Sequence, residues 1–173
     1  IGVRLVGSEM CIRDRNTHIG LGSKNSHLTI AGQTAPAGGI TITGDRLYMK
    51  NLDNTIMRYI RFRAGKDHNN DSVSGSGVRN FIADHVSAGF GADEAFSLYG
   101  DDIVKNITIQ RSLFAESKTG MIMGSQDKEL ADNISVNSNL FYNIRHRFPN
   151  IVGDGHFEAV SYTHLTLPTK RIV

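Results

Sequence analysis

The amino-acid sequence predicts an all-β fold, a parallel β-solenoid, and three observations support this class. Four asparagines recur at a nearly constant spacing, and each opens a similar short stretch: Asn54, Asn80, Asn106 and Asn133. A repeat of about 20 to 50 residues is typical of stacked units that bury a core only against their neighbours. Brief runs rich in β-branched residues alternate with Gly, Asn, Asp and Ser clusters, which are typical of turns. Long amphipathic helical patterns are absent from the sequence.

The stretch after each asparagine is predicted to be a strand. The residues one and three places after the asparagine are mostly apolar or small, and such alternation is typical of a strand with one buried face. These positions are Thr55, Met57, Phe81, Ala83, Ile107, Ile109, Ile134 and Val136. The runs LTIAG at 28–32 and ITITG at 40–44 are predicted to be further strands.

The asparagines themselves are predicted to form a ladder. Coils of a parallel β-helix stack about 4.8 Å apart, so that side chains at equal positions lie above one another. Amide side chains in such a stack hydrogen-bond along it. The alternative is that asparagine recurs only as a turn residue. We prefer the ladder because the residues that follow the asparagines also match.

One domain is predicted between two foreign ends. Residues 1–15 and 159–173 do not join the periodic pattern and resemble translated sequencing-adapter sequence, so we expect both to be non-native flanks. Residues 16–158 are then one β-helix domain, truncated and incomplete at both ends. Cys11, the only cysteine, lies in the first flank, so the domain has neither a disulfide nor a thiolate metal site.

Charge and hydropathy exclude two classes of partner from the prediction. The formal charge is +2 for the whole chain but about −1 for residues 16–158, because the flanks carry five Lys or Arg residues and two acidic residues. This balance gives no general support for a nucleic-acid partner. No run of 18 apolar residues is present, so no membrane span is expected.

Acidic residues fall at matching positions of neighbouring repeats. Asp67 and Asp93 hold the same position relative to the asparagine of their own repeat, and we expect them to stack. Asp71 and Ser97 also hold matching positions, and we expect the same of them. Carboxylates so close together repel unless a cation lies between them. Oxygen ligands without cysteine favour Ca²⁺ over zinc or copper.

Two cationic residues follow at almost the same position in the next two repeats. Counted from the asparagine of its own repeat, Lys118 lies one place before the position of Asp93, and Arg147 lies one place after it. The repeat therefore predicts one face of the solenoid that runs from acidic to basic.

An ordered series of segments resembles one known family. The segments are GQTAP at 32–36, RYIRFRAG at 58–65, DSVSG at 71–75, ADHVSAGFGADEAFSLYG at 83–100, NITIQRSLFAES at 106–117, KTGMIMGS at 118–125 and NLFYNIRHRFPN at 139–150. This series resembles the family 1 polysaccharide lyases, which are the pectate lyases and their bacterial relatives. The resemblance implies a right-handed, single-stranded parallel β-helix of the pectin lyase-like class. It also implies Ca²⁺-assisted β-elimination on polygalacturonate or a related acidic polysaccharide.

The resemblance assigns roles to residues of this chain. Asp71 and Asp93 match calcium-ligand positions, and Asp67 is a further expected ligand from its place in the repeat. Lys118 matches a substrate-binding lysine. Arg147, which begins an Arg-x-Pro element, matches the catalytic arginine, and its planar fork also suits a substrate carboxylate. By resemblance we expect a secreted protein, extracellular or periplasmic, that acts as a monomer.

Some residues depart from the family pattern. Where better-known members carry a second aspartate, four residues after the Asp93 position, this chain has Ser97. Glu94 is expected to face away, because adjacent strand residues point to opposite faces. His85, which follows Asp84, is expected to form a structural hydrogen-bonded pair with it.

Two other functions stay open at this point. One is a non-catalytic β-helix that only binds glycan, which would not need Arg147. The other is a galacturonan hydrolase that uses the neighbouring carboxylates Asp101 and Asp102 as its acid and base. The second is less favoured because this pair follows Gly100 in what is predicted to be a turn.

Overall fold

The computed structural model of the 173-residue protein describes residues 10–13, 18–36, 39–65, 69–160 and 163–165. The predicted ligand Asp67 lies outside these residues. In chain order the first strands are β1 (Met10–Arg13), β2 (Ile19–Gly22), β3 (Thr29–Ala31), β4 (Ile40–Gly44), β5 (Leu47–Lys50), β6 (Asp53–Arg58), β7 (Ile60–Ala64), β8 (Val73–Ser76), β9 (Arg79–Asp84) and β10 (Ser87–Gly89). The others are β11 (Glu94–Gly100), β12 (Val104–Gln110), β13 (Leu113–Ala115), β14 (Thr119–Ser125), β15 (Ala131–Asn137), β16 (Leu140–Tyr142), β17 (Asn150–Val152), β18 (Phe157–Val160) and β19 (Thr163–Leu165).

Helical structure in the described residues is limited to single 3₁₀ turns at Ser23–Asn25, Gly32–Thr34 and Lys128–Leu130. None of the helices seen there is long and apolar enough to cross a membrane.

The strands form three sheets in which every pair is parallel. Sheet A has the order β1-β4-β7-β10-β13-β16-β19, sheet B the order β2-β5-β8-β11-β14-β17, and sheet C the order β3-β6-β9-β12-β15-β18. The chain visits sheets B, C and A in turn, so that each coil adds one strand to each sheet, over about five turns. This arrangement confirms the predicted all-β parallel β-solenoid.

The core lies inside the three sheets and follows the predicted alternation. All eight positions predicted from the asparagine repeat are at most 1% exposed. Phenylalanines from sheets B and A form a ring stack in the core: the ring of Phe114 lies 5.7 Å from that of Phe96, across the same coil, and 5.3 Å from that of Phe141 in the next coil, measured between centroids. Because each coil covers the apolar side chains of the next, burial depends on the stack and not on a single coil.

The asparagine ladder is confirmed for three of its four members. Asn106 donates from Nδ2 to Oδ1 of Asn80, and Asn133 donates to Oδ1 of Asn106, each at 2.8 Å. Asn80 in turn donates to Oδ1 of Asp53 at 2.8 Å, so the prediction was wrong for Asn54. All four asparagines have φ between 49° and 58°. This left-handed conformation is one that asparagine tolerates better than most residues.

Replacement of Asn106 tests the two reasons for asparagine at this position. Asn106→Ala loses both amide hydrogen bonds and strains the left-handed backbone, and we expect it to lower the free energy of unfolding by about 2 kcal/mol. Asn106→Gly loses the same hydrogen bonds but suits the backbone, so we expect a loss of about 1 kcal/mol. Urea denaturation of both variants measures this order. A larger loss for glycine than for alanine would show that the backbone conformation is not a reason for the asparagine.

A buried carboxylate ties three coils together near the bend from sheet C to sheet A. Asp84 accepts hydrogen bonds from Nε of Arg58 at 2.9 Å and from Nε2 of Gln110 at 3.2 Å, and its Oδ1 lies 2.9 Å from Nδ1 of His85. Burial raises the pKa of Asp84, but the hydrogen bonds from Arg58 and His85 outweigh it and hold that pKa below its ordinary value. The predicted structural pairing of His85 with Asp84 is confirmed.

Strands β1 and β19 come from the segments that the sequence predicts to be foreign. β1 pairs with β4, and β19 pairs with β16, at the two ends of sheet A. The expectation that residues 1–15 and 159–173 are non-native flanks stays a prediction.

The coils differ in length, and the difference lies in the turns. Arg61 of β7 pairs with Ser87 of β10, and Val73 of β8 pairs with Phe96 of β11. The path along the chain from Ser87 to Phe96 is three residues shorter than the path from Arg61 to Val73. The turn from sheet A to sheet B is therefore shorter before β11 than before β8. A constant repeat spacing does not hold across this turn.

Candidate active site

Three carboxylates meet where the chain enters sheet B from sheet A. Asp71 and Asp93 lie in the turns before β8 and β11, and Glu94 is the first residue of β11. One oxygen of each lies within 4.8 Å of the others. The backbone N–H of Glu94 donates to Oδ1 of Asp71 at 3.1 Å, which fixes the two coils against each other.

The composition of this carboxylate cluster corrects two predictions. Ser97 does not lie beside Asp71: it pairs with Ser74 and Ile122, because the turn before β11 is short. Glu94 lies in the cluster and does not face away from it. Strict alternation does not apply between Asp93 and Glu94, because Asp93 precedes the strand and lies in the bend.

One sequence signal would have found Glu94. Glu94 lies as far after Asn80 as Arg147 lies after Asn133, so the two have the same place in the repeat.

Burial makes the ionised form of the clustered carboxylates unfavourable. Desolvation, and then the charge of Asp93, raise the pKa of Asp71 from 3.8 to about 6, although Arg46 and Arg147 oppose this. Ser72 follows Asp71 in the chain and Thr119 follows Lys118, and the hydroxyl groups of both are buried and have no hydrogen-bond partner among the residues that the structure describes.

This donor set fits a hard divalent cation. Ca²⁺ prefers oxygen ligands, mainly carboxylates, and tolerates irregular geometry. Asp71, Asp93 and Glu94 would hold it, and its charge would relieve their mutual repulsion. Of the predicted ligands Asp67, Asp71 and Asp93, the structure brings the last two together. Their role as metal ligands stays a prediction.

Both predicted cationic residues reach the cluster. The guanidinium of Arg147 forms an ion pair with the carboxylate of Glu94, whose side chain is 6% exposed. Nζ of Lys118 lies 3.8 Å from Oδ1 of Asp93, and both of these side chains are largely exposed. Arg147 therefore contacts the buried side of the cluster and Lys118 its solvent side.

The backbone holds Arg147 in a restricted position. Its φ is 65°, in the left-handed region that is unfavourable for arginine, and its carbonyl accepts a hydrogen bond from N of Met121 at 2.8 Å. Gly120 passes directly beneath, where an added Cβ would collide with the Arg147 carbonyl. Glycine at 120 is thus required for the close approach that places the arginine.

The carboxylate pair proposed for a hydrolase has a different environment. Asp102 forms an ion pair with Lys50 and accepts a hydrogen bond from Oγ of Ser76 at 2.8 Å. These contacts, the one from Lys50 above all, lower the pKa of Asp102. Inverting hydrolysis needs one carboxyl group whose pKa is raised, so that it stays protonated as the acid. The surroundings of Asp102 produce the opposite shift.

The raised pKa of Asp71 predicts how stability depends on pH without divalent cations. The folded protein binds the Asp71 proton more tightly than the unfolded chain, so this contribution to stability is complete below about pH 4 and is lost as pH rises through about 6. It amounts to about 3 kcal/mol at most. Urea denaturation in chelator should show the loss in the wild type and a flatter profile in Asp71→Asn. Equal pH profiles for the two proteins would contradict this assignment.

Comparison with known proteins gives homologues over most of the chain. No family model matches it. It is 37% identical over 135 residues to proteins named probable pectate lyase C from Aspergillus flavus and Aspergillus oryzae, which covers 77% of this chain and 32% of each relative. A protein of the same name from Emericella nidulans is 36% identical over 135 residues, 77% of this chain and 31% of the relative. The chain thus spans about a third of the length of the curated relatives it matches.

Proposed function

The chain belongs to the pectate lyase family, and from that premise we propose that its carboxylate cluster, with Lys118 and Arg147, is the catalytic centre of a carbon–oxygen lyase. The proposed substrate is polygalacturonate or a related acidic polysaccharide, cleaved by β-elimination. The observation that carries this proposal is the meeting of two cationic side chains with three carboxylates at the N-terminal ends of neighbouring strands of sheet B. A neutral glycan has no charge for these groups to bind. A uronate chain carries carboxylates, which suit both the two cationic side chains and a cation held by the cluster.

Each residue suits one part of the reaction. The cluster would hold a Ca²⁺ ion, which when bound supplies a Lewis acid for the uronate carboxylate and makes the C5 proton more acidic. Lys118, whose ammonium group is exposed, is placed to bind a second uronate carboxylate. Arg147 accepts the C5 proton in its neutral form. The electron pair of the C5–H bond then forms the C4–C5 double bond, and the C4–O bond breaks with its electrons on the leaving oxygen, which takes up a proton from water.

The environment of Arg147 sets a condition for this step. A guanidinium donates hydrogen bonds and has no site that accepts a proton. In this structure the guanidinium of Arg147 is paired with the carboxylate of Glu94. The base therefore acts only after the pair with Glu94 has been weakened and the guanidinium has released a proton.

Calcium dependence, secretion and a monomeric state belong to the same proposal. The chemistry of the cluster supports calcium, and the family resemblance supports secretion. Sedimentation of the purified protein tests the monomer.

Incubation of the protein with polygalacturonate tests the proposed function. The product of β-elimination carries a conjugated double bond that absorbs ultraviolet light, and we expect this absorbance to rise with calcium and not with chelator. New reducing ends without absorbance would identify a hydrolase instead. Retention on a polygalacturonate column without either product would identify a glycan-binding protein. A rise that persists in chelator would overturn only the role of calcium.

A further inference from the structure

Glu94 lies between the guanidinium of Arg147 and the carboxylates of Asp71 and Asp93. Its carboxylate contacts the guanidinium of Arg147, and one of its oxygens lies within 4.8 Å of ligand atoms of Asp71 and Asp93. The Glu94 side chain is only 6% exposed, so water does not screen either interaction strongly.

Glu94 has little freedom to move as a whole. Its backbone N–H donates to Asp71 and its carbonyl accepts from N of Ser72 at 2.9 Å. Gly91 passes so close that an added Cβ would collide with the Glu94 carbonyl. The backbone of Glu94 is therefore fixed, and its carboxylate lies within reach of both the guanidinium and the other two carboxylates.

We propose that the Glu94 carboxylate is shared between Arg147 and a divalent cation, so that binding of the cation weakens the ion pair and releases the guanidinium toward the substrate. The proposal rests on the proposed function, since it takes the same cluster as the cation site. Coupling of this kind is reciprocal. If the cation weakens the Glu94–Arg147 pair, the pair must lower the affinity for the cation by the same factor.

Lys118 provides a matched control for the loss of one positive charge. It also lies beside the cluster, 3.8 Å from Asp93, but its side chain is 62% exposed, against 35% for Arg147. Exposed ion pairs are screened and contribute little. Removal of the Lys118 charge should therefore affect cation binding much less than removal of Arg147.

Calorimetric titration with calcium chloride alone tests the coupling. We expect Arg147→Ala to bind Ca²⁺ about tenfold more tightly than the wild type, which corresponds to about 1.4 kcal/mol, and Lys118→Ala to gain at most about threefold. Glu94→Gln should weaken binding, and in that background Arg147→Ala should gain less than about twofold, because the shared group is gone.

Each result decides the proposal. An undiminished gain from Arg147→Ala in the Glu94→Gln background would overturn sharing, since the effect would not pass through Glu94. Equal gains in calcium affinity from Arg147→Ala and Lys118→Ala would also overturn sharing. If Glu94→Gln does not fold, this comparison alone decides the proposal. In both cases calcium still binds and the proposed function stands. Absence of calcium binding in every folded variant would overturn the sharing together with the calcium part of the proposed function.

Discussion

Replacement of Arg147 by alanine is expected to lower the initial rate of polygalacturonate cleavage by at least about a hundredfold, the lower range for loss of a general base. The physical reason is that no other group among the described residues is held against the buried side of the carboxylate cluster by both an ion pair and a fixed backbone. Ultraviolet absorbance of the unsaturated product, followed at saturating calcium, measures the rate. The far-ultraviolet circular dichroism spectrum should not change, because the substitution keeps the hydrogen bond from N of Met121 to the carbonyl of residue 147.

Arg145→Ala is the control for this variant. Arg145 lies two residues earlier in the same segment and is exposed. The two substitutions remove the same side chain from the same turn, so a general effect of charge would lower both rates. We expect the Arg145 variant to cleave within about twofold of the wild type, as for most surface substitutions. If Arg147→Ala retained a comparable rate, Arg147 would not be the base.

Replacement of Phe114 by alanine should lower the free energy of unfolding by about 3 to 5 kcal/mol. Phe114 is fully buried, and its ring contacts the ring of Phe96 in the same coil and the ring of Phe141 in the next coil. The variant loses the transfer free energy of the ring, leaves a cavity, and breaks two ring contacts that each contribute about 1 kcal/mol. Because each coil is covered only by its neighbours, the cavity separates the two halves of the stack.

Phe90→Ala removes the same ring from the surface. Phe90 is 39% exposed, in the turn after β10. We expect a loss below about 1 kcal/mol, because the exposed ring buries little apolar area. Urea denaturation of both variants, followed by circular dichroism, measures the difference. Similar losses from the two substitutions would mean that the phenylalanine stack does not hold the coils together.

The sequence contained the repeat and most of the core because strands obey a strict period. Ile107 and Ile109 alternate with outward residues in the half of β12 that follows Asn106, and the same pattern recurs in the neighbouring strands β9 and β15. The asparagine ladder followed from the same period. Asn54 was the exception because a carboxylate, Asp53, competes for the amide of Asn80 and is the better acceptor.

The candidate site was only partly predictable because it lies in turns. The repeat predicted that Asp93 and Lys118 lie close together, and the structure confirms this. It failed between Asp71 and Ser97, because no local signal shows how many residues a turn absorbs. The same holds for the bend from sheet C to sheet A, where one residue of each coil has a φ between 49° and 56°. These residues recur with the period of the repeat, but they are of four different types, so the sequence does not show that they share a backbone conformation. They are Tyr59, His85, Arg111 and Ser138.

The length of the turn before β11 sets the register of that strand, and this register determines both the residue beside Arg147 and the residue buried in the core. If β11 slid by three residues, so that this turn became as long as the one before β8, Ser97 would take the place of Glu94 in the cluster. Three is an odd number, however, and an odd slip turns every side chain of a strand to the opposite face. Tyr99 would then take the buried place of Phe96 in the ring stack. Extra residues in this turn must therefore bulge outward, and an insertion there would leave Glu94 as the partner of the arginine.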